Sequence, residues 1–107
     1  MIVVFPKLIA KSFSAVTIYP FVFIKHKAAK TDYVLLNHEY IHLQQQKELL
    51  WVIFFVWYIL EYLIKLAYYR NTYLAYRHIS FEREAYFFEN DLDYLHKRPW
   101  FSFIKFL

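Results

Sequence analysis

Apolar and polar positions change their spacing once along this chain. Residues 15–24, AVTIYPFVFI, form a run of β-branched and aromatic side chains that reads as one or two short strands. Pro20 keeps them at a sheet edge, because proline has no N–H to give to a ladder. The polar stretch KHKAAK, residues 25–30, ends the run, and Thr31 and Asp32 follow as candidate helix N-caps. From Tyr33 the apolar positions take helical spacing through YVLLNHEYIHLQQQKE, with Leu35, Ile41 and Leu49 among the expected core contacts. No residue stops this helix before Tyr69, yet one helix from 32 to 69 is very long for so small a chain, so a bend is expected near 47–52. A second helix, roughly 50–69, starts out apolar nearly all round, as buried or membrane-contacting helices do. RNTYLAYRHIS reads as a loop with a short helical piece. Ser80 then looks like the N-cap of a helix FEREAYFFENDLDYL, whose Glu82 and Glu84 suit the positive end of the helix dipole. KRPWFSFIKFL closes the chain as an aromatic, basic tail. The expected fold class is α+β and mostly α-helical, with short N-terminal strands followed by about three helices.

Composition narrows the choices. At 107 residues the chain is one domain, 1–107, near the lower end of what folds alone. It has no glycine, which removes phosphate-cradling and dinucleotide-binding loops. It has no cysteine either, so a metal would need histidine and carboxylate ligands, and a reducing, cytoplasmic setting is expected. The apolar fraction is 60%, with 24% aromatic, above the roughly 45–50% of ordinary soluble domains. A membrane surface or a homo-oligomer is expected to cover part of that apolar load. The run LLWVIFFVWYIL, residues 49–60, is shorter than the about twenty residues a bilayer requires. Extending it to Tyr69 brings in Glu61 and Lys65, four apart and able to pair, so an interfacial or core helix is expected rather than a span. MIVVFPKLIAKSF has its apolar run ahead of its lysines, the reverse of a signal peptide, and Pro6 interrupts it. The net charge of +4 gathers at KHK, 25–27, and HKRPW, 96–100, with no nucleic-acid motif beside it. Nucleic acid is therefore not an expected partner.

The stretch LLNHEYIHLQQQKELL carries the chemistry. His38 and His42 are four apart, so on a helix both rings leave one face about one turn from each other, the spacing at which two imidazoles can share a tetrahedral metal ion. Glu39 can reach the open side of such a metal and take a proton from a bound water. The competing reading makes all three ordinary polar positions on an amphipathic helix. A catalytic zinc needs a third protein ligand. A third histidine six residues past the second is missing, since Glu48 stands there and the glycine of that longer motif is absent. ISFEREAY, residues 79–86, offers Glu82 and Glu84 instead; they lie two apart, so only one can face the site. His78, one turn before Glu82, is a candidate for the metal's surroundings or for substrate. Gln45, three past His42, is a candidate cleft-lining residue. Gln44 and Gln46 read as surface helix formers, and Arg77 as a partner for a carboxylate of the site.

HEYIH followed by SFEREAY resembles the gluzincin metalloproteases, in which an H-E-x-x-H helix is followed by a later helix carrying E-x-x-A-D soon after a serine. The likeness is nearest to the prenyl-protein and heat-shock membrane endopeptidases and to the minigluzincins, and it covers two short blocks. It implies a minimal zincin-like core, zinc held by His38, His42 and Glu82, and Glu39 as general base, with Ala85 as the small residue one turn on. The departure is at Tyr86, where the family has an aspartate that hydrogen-bonds a ligand histidine; Glu89 and Asn90 are the nearest substitutes. The implied activity is zinc-dependent hydrolysis of a peptide or protein substrate, with Tyr86, Tyr76 or His78 as transition-state donor. The edge strand around AVTIY is the expected docking site for an extended peptide. The rival readings are a non-enzymatic membrane-associated or interaction protein, and a pseudoenzyme of the same fold that binds zinc without turnover.

Overall fold

The computed structural model describes residues 2–5 and 14–107; of the run interrupted by Pro6, residue 1 and residues 6–13 lie outside them. Three short strands form one sheet: β1 (Ile2–Val4), β2 (Ala15–Ile18) and β3 (Phe21–Ile24), in the order β1-β3-β2. β3 pairs parallel with β1 and antiparallel with β2. Pro20 does not confine both strands to an edge: it sits in the turn between them, outside either ladder, and β2 is an edge strand while β3 is central. Val22 and Ile24 of β3 are fully buried and meet Leu36 of the first helix.

Helix α1 (Tyr33–Glu48) starts on Asp32, whose carboxylate accepts the Leu35 N–H at 3.1 Å and satisfies a donor the first turn would leave open. Its core contacts are Leu36 and Ile41. Leu35, the residue singled out by spacing, is only half-buried, because the sheet meets the helix one position further round. The expected bend falls at Leu49 and Leu50, where Leu50 takes a left-handed φ of 50°. Helix α2 (Leu50–Tyr69) follows and ends at Arg70, also left-handed, at φ 53°. A chain without glycine gives these positions to larger residues, at a cost of about 1–2 kcal/mol each.

The second half departs from expectation in three places. After α3 (Thr72–Arg77), helix α4 (Ser80–Phe88) has Ser80 as its first residue rather than its cap. Glu61 of α2 does the capping, accepting the Ser80 N–H at 2.9 Å and also the Ser80 hydroxyl. Its partners are thus Ser80 and the Trp57 indole N–H, at 2.8 Å, instead of Lys65. α4 also stops at Phe88, because Asn37 of α1 donates to the carbonyls of Phe88, Glu89 and Asp91 and holds the chain in a turn before α5 (Tyr94–Lys97). Finally, the basic aromatic tail folds inward. Ser102 and Phe103 are buried, and Phe103 packs with Phe54, Ile79 and Phe81 in the largest apolar cluster. The architecture is the expected α+β, mostly helical one, with N-terminal strands followed by helices; among the described residues there are five α-helices, α3 and α5 being short additions.

Candidate metal centre

Most of the buried face of α1 is polar. Asn37, His38, Glu39, His42, Gln45, Gln46 and Glu48 are all buried, and α4 opposite contributes Glu82 and Glu84. Such groups stay inside only when their donors and acceptors are met. Ala85 of α4 packs on Ile41, a small side chain that lets the two helices approach closely.

His38, His42 and Glu82 converge on one point. His38 Nε2 and His42 Nε2 are 3.2 Å apart, and Glu82 Oε1 lies 3.1 Å from the first and 3.0 Å from the second. Three ligands of a tetrahedral ion bound at about 2.0–2.1 Å would stand about 3.3–3.4 Å from each other, so this triangle is a few tenths of an ångström from a metal-binding face. Glu39 completes the group: its Oε2 is 4.0 Å from His38 Nε2, and His38, Glu39 and His42 offer ligand atoms within 4.8 Å of one another.

Proton positions follow from the neighbours. The Gln45 amide N–H group donates to the Phe81 carbonyl at 3.1 Å and to Glu84 Oε1 at 2.9 Å, two groups that can only accept. The Gln45 oxygen therefore faces His42 Nδ1, at 2.8 Å, and that nitrogen must carry the hydrogen. In neutral His42 the Nε2 lone pair then points at Glu82, so acceptors face acceptors and only a proton or a metal cation can sit between them. Without a metal, burial works against charging His42, but the Glu82 carboxylate prevails and lifts its pKa to about 9. Burial pulls Glu82 the other way, yet the two histidines hold its carboxyl well below the usual range.

Glu39 is placed differently. Thr17 of β2 donates to its Oε1 at 3.0 Å and to its carbonyl at 3.2 Å, which leaves Oε2 turned to the histidines. Burial raises its pKa against the opposing pull of His42 and His38. On the other side of the cluster, Tyr58 donates to Glu82 Oε2 at 2.7 Å, and the Tyr86 ring packs edge-on against His38 with centroids 4.4 Å apart. Tyr58, Tyr76 and Tyr86 also line a cavity of about 570 Å³, with Ile59, Tyr62, Thr72 and Tyr73. Burial and the nearby Glu82 charge push Tyr58 and Tyr76 upward, so both remain protonated donors.

Other candidates fall elsewhere. Glu84 points away from the histidines, to Arg98, Tyr94 and Gln45. His78 bonds the Leu74 carbonyl at 2.7 Å and stacks on Tyr69; it lines a separate cavity of about 330 Å³ with Arg77 and Arg83. Arg77 lies 3.7 Å over the Tyr86 ring rather than on a carboxylate. Where the resembled family has an aspartate beside a ligand histidine, Glu89 comes nearest, 3.8 Å from His38 Nδ1. Gln46, read as a surface residue, is 1% exposed: it accepts the Tyr19 N–H at 2.7 Å and donates to the Thr17 carbonyl at 2.8 Å. Those are backbone groups of the edge strand that an added peptide strand would use, so Gln46 blocks that docking mode at these positions. Arg98, Asn37 and Gln46 carried no motif; their only sequence signal was a polar residue at helical spacing from a buried one. No protein-family model, curated protein or solved structure matches the chain, so its functional reading rests on its own side chains.

Proposed function

We propose that this chain is a zinc-dependent peptide hydrolase of gluzincin type, located in the cytoplasm and associated with membrane. The observation that carries the reading is the triangle of His38 Nε2, His42 Nε2 and Glu82 Oε1, with sides of 3.0–3.2 Å, in which the Nε2 lone pair of neutral His42 faces the Glu82 carboxylate. Two imidazoles and a carboxylate, with no thiolate, suit zinc. A zinc ion held there would polarise a peptide carbonyl and bring the pKa of a bound water from about 15.7 towards 7. Glu39, tethered at one oxygen by Thr17, has its second oxygen free to accept that water's proton, and its burial favours the protonated product. Tyr58, Tyr76 and Tyr86 present hydroxyls along the adjoining cavity, and the Tyr76 and Tyr86 oxygens are 2.7 Å apart. Tyr76 and Tyr86 are the candidates to hold the developing oxyanion, since the Tyr58 hydroxyl hydrogen is given to Glu82. An aromatic cavity suits a peptide segment with bulky apolar side chains.

Elemental analysis and a quenched-peptide hydrolysis assay test this together. Wild type should carry stoichiometric zinc and cleave peptide, and a chelator should remove both. His42→Ala should lose the zinc. Glu39→Gln should keep it while hydrolysis falls about 10²–10⁴-fold. Zinc-free wild type would overturn the reading, as would undiminished hydrolysis in Glu39→Gln. A second reading, zinc bound without turnover, is favoured by Tyr86 in the aspartate position and by Gln46 on the edge strand. Under it His42→Ala still empties the site, but wild type cleaves nothing.

A further inference from the structure

We infer that α2 is a membrane-docking helix, lying in the plane of an anionic bilayer with one face sunk between the lipid headgroups. This does not depend on the metal reading. Val52, Val56, Ile59, Leu60, Leu63 and Ile64 are each between 53% and 65% exposed. At about 100° per residue they form one stripe along the helix, and its only charged residues, Glu61 and Lys65, lie about 130–170° from the middle of that stripe. On the opposite side of α2, Phe54 is buried against Phe81 and Glu61 caps α4, while Leu50, Trp51 and Tyr68 outside the stripe are exposed as well. Held to the rest of the chain by Phe54 and Glu61, α2 can sink this stripe into a membrane surface while the cluster around α1 and α4 stays outside it.

Charge selects lipid over a second copy of the chain. Five of the nine acidic residues, Glu39, Glu48, Glu61, Glu82 and Glu84, are buried. Asp32 caps α1 at its start, and Glu89, Asp91 and Asp93 lie in the turn that Asn37 ties to the same end of that helix. The exposed charges next to α2 are basic, with Lys47 before it and Arg70 after it. Two copies joined through this face would bring those cations together and would offer each other no hydrogen bonds along the stripe, whereas protein interfaces carry about one per 100–200 Å². Anionic headgroups complement both the basic ends and the apolar middle. The aromatic cavity beside the metal cluster shares Ile59 with this stripe, so its mouth would open at the lipid boundary.

Co-sedimentation of the full chain with vesicles tests the inference, alongside sedimentation velocity in detergent-free buffer. Vesicles of phosphatidylcholine and phosphatidylglycerol should bind the protein at least several-fold more tightly than phosphatidylcholine alone. Val56→Glu and Leu63→Glu should each weaken binding about tenfold or more, the factor one buried Val or Leu side chain supplies, with melting temperature and metal content unchanged. Lys47→Glu combined with Arg70→Glu should remove most of the preference for the anionic vesicles. A dimer that Leu63→Glu splits, with no vesicle binding, would assign the face to self-association and overturn the inference. A monomer indifferent to both kinds of vesicle would overturn it as well.

Discussion

Two polar clusters lie side by side between α1 and α4, and they are built on opposite principles. In one, Arg98 reaches Glu84 through Nε at 2.5 Å and Nη2 at 3.1 Å, and Glu48 through Nη1 at 2.5 Å. Tyr94 donates to Glu84 at 2.6 Å, and the Phe101 N–H to Glu48 at 2.9 Å. Every acceptor there has a donor aimed at it, and the ion pairs are covered from solvent. In the other, two imidazole nitrogens and a carboxylate oxygen face one another with Tyr58 and Thr17 on the periphery. The first cluster is complete by itself and ties the tail to the helices. The second is held together by protons on the imidazoles, which a cation could replace, and that exchangeable contact is what sets a candidate binding site apart from a strut of the same composition.

Removing the cation of the closed cluster should have the largest effect on folding. Arg98→Met leaves Glu48 and Glu84 buried without a counter-charge and should cost about 3–5 kcal/mol, lowering the melting temperature by well over 10 °C in a chain this short. His42→Ala should also destabilise the metal-free protein, though less, because His38 still faces Glu82 at 3.1 Å, and it should abolish metal binding. If Arg98→Met melted like wild type, the closed cluster would not be the strut described. Gln45 joins the two clusters, with its oxygen on His42 and its nitrogen on Glu84 and Phe81, so Gln45→Leu should damage both. The expected losses are about 10–100-fold in metal affinity, read by chelator competition, and about 1–3 kcal/mol in stability, read by denaturant titration. A loss confined to stability would show that the His42 tautomer is fixed some other way.

The candidate metal centre was more legible in sequence than the contacts that support it. The i, i+4 spacing of His38 and His42 survives any reasonable helix boundary, and the two-residue gap between Glu82 and Glu84 turns only one of them to the histidines, while the cluster that receives Glu84 had no sequence signal. The supporting contacts join residues far apart in the chain. Arg98 to Glu48 spans fifty positions and Asn37 to Asp91 fifty-four, and no local pattern encodes such pairs. The same cause moved the α4 boundaries: Glu61 of α2 caps its start, and Asn37 of α1 holds its end. Helix α2 was legible in its extent and its apolar character, because both are local properties. Which of its sides would be covered depended on Phe81 and Phe103, from distant segments.

The finest contrast is between two tyrosine hydroxyls in matching positions, each on a glutamate of α4. Tyr94 donates to Glu84 Oε2 at 2.6 Å and Tyr58 to Glu82 Oε2 at 2.7 Å. Tyr94→Phe should cost about 1.5 kcal/mol, near the lower figure for a hydrogen bond to a charged group, because Arg98 and Gln45 still hold Glu84. Metal content should not change. Tyr58→Phe keeps its ring against Phe54 and Phe81 but leaves the buried Glu82 Oε2 without its donor, so it should cost at least as much stability and, unlike Tyr94→Phe, should also lower metal affinity about tenfold. Paired melting curves and chelator titrations on the two variants decide the matter. If both phenylalanine variants lost stability and neither lost metal, Glu82 would be held as rigidly as Glu84, and the two clusters would be struts alike.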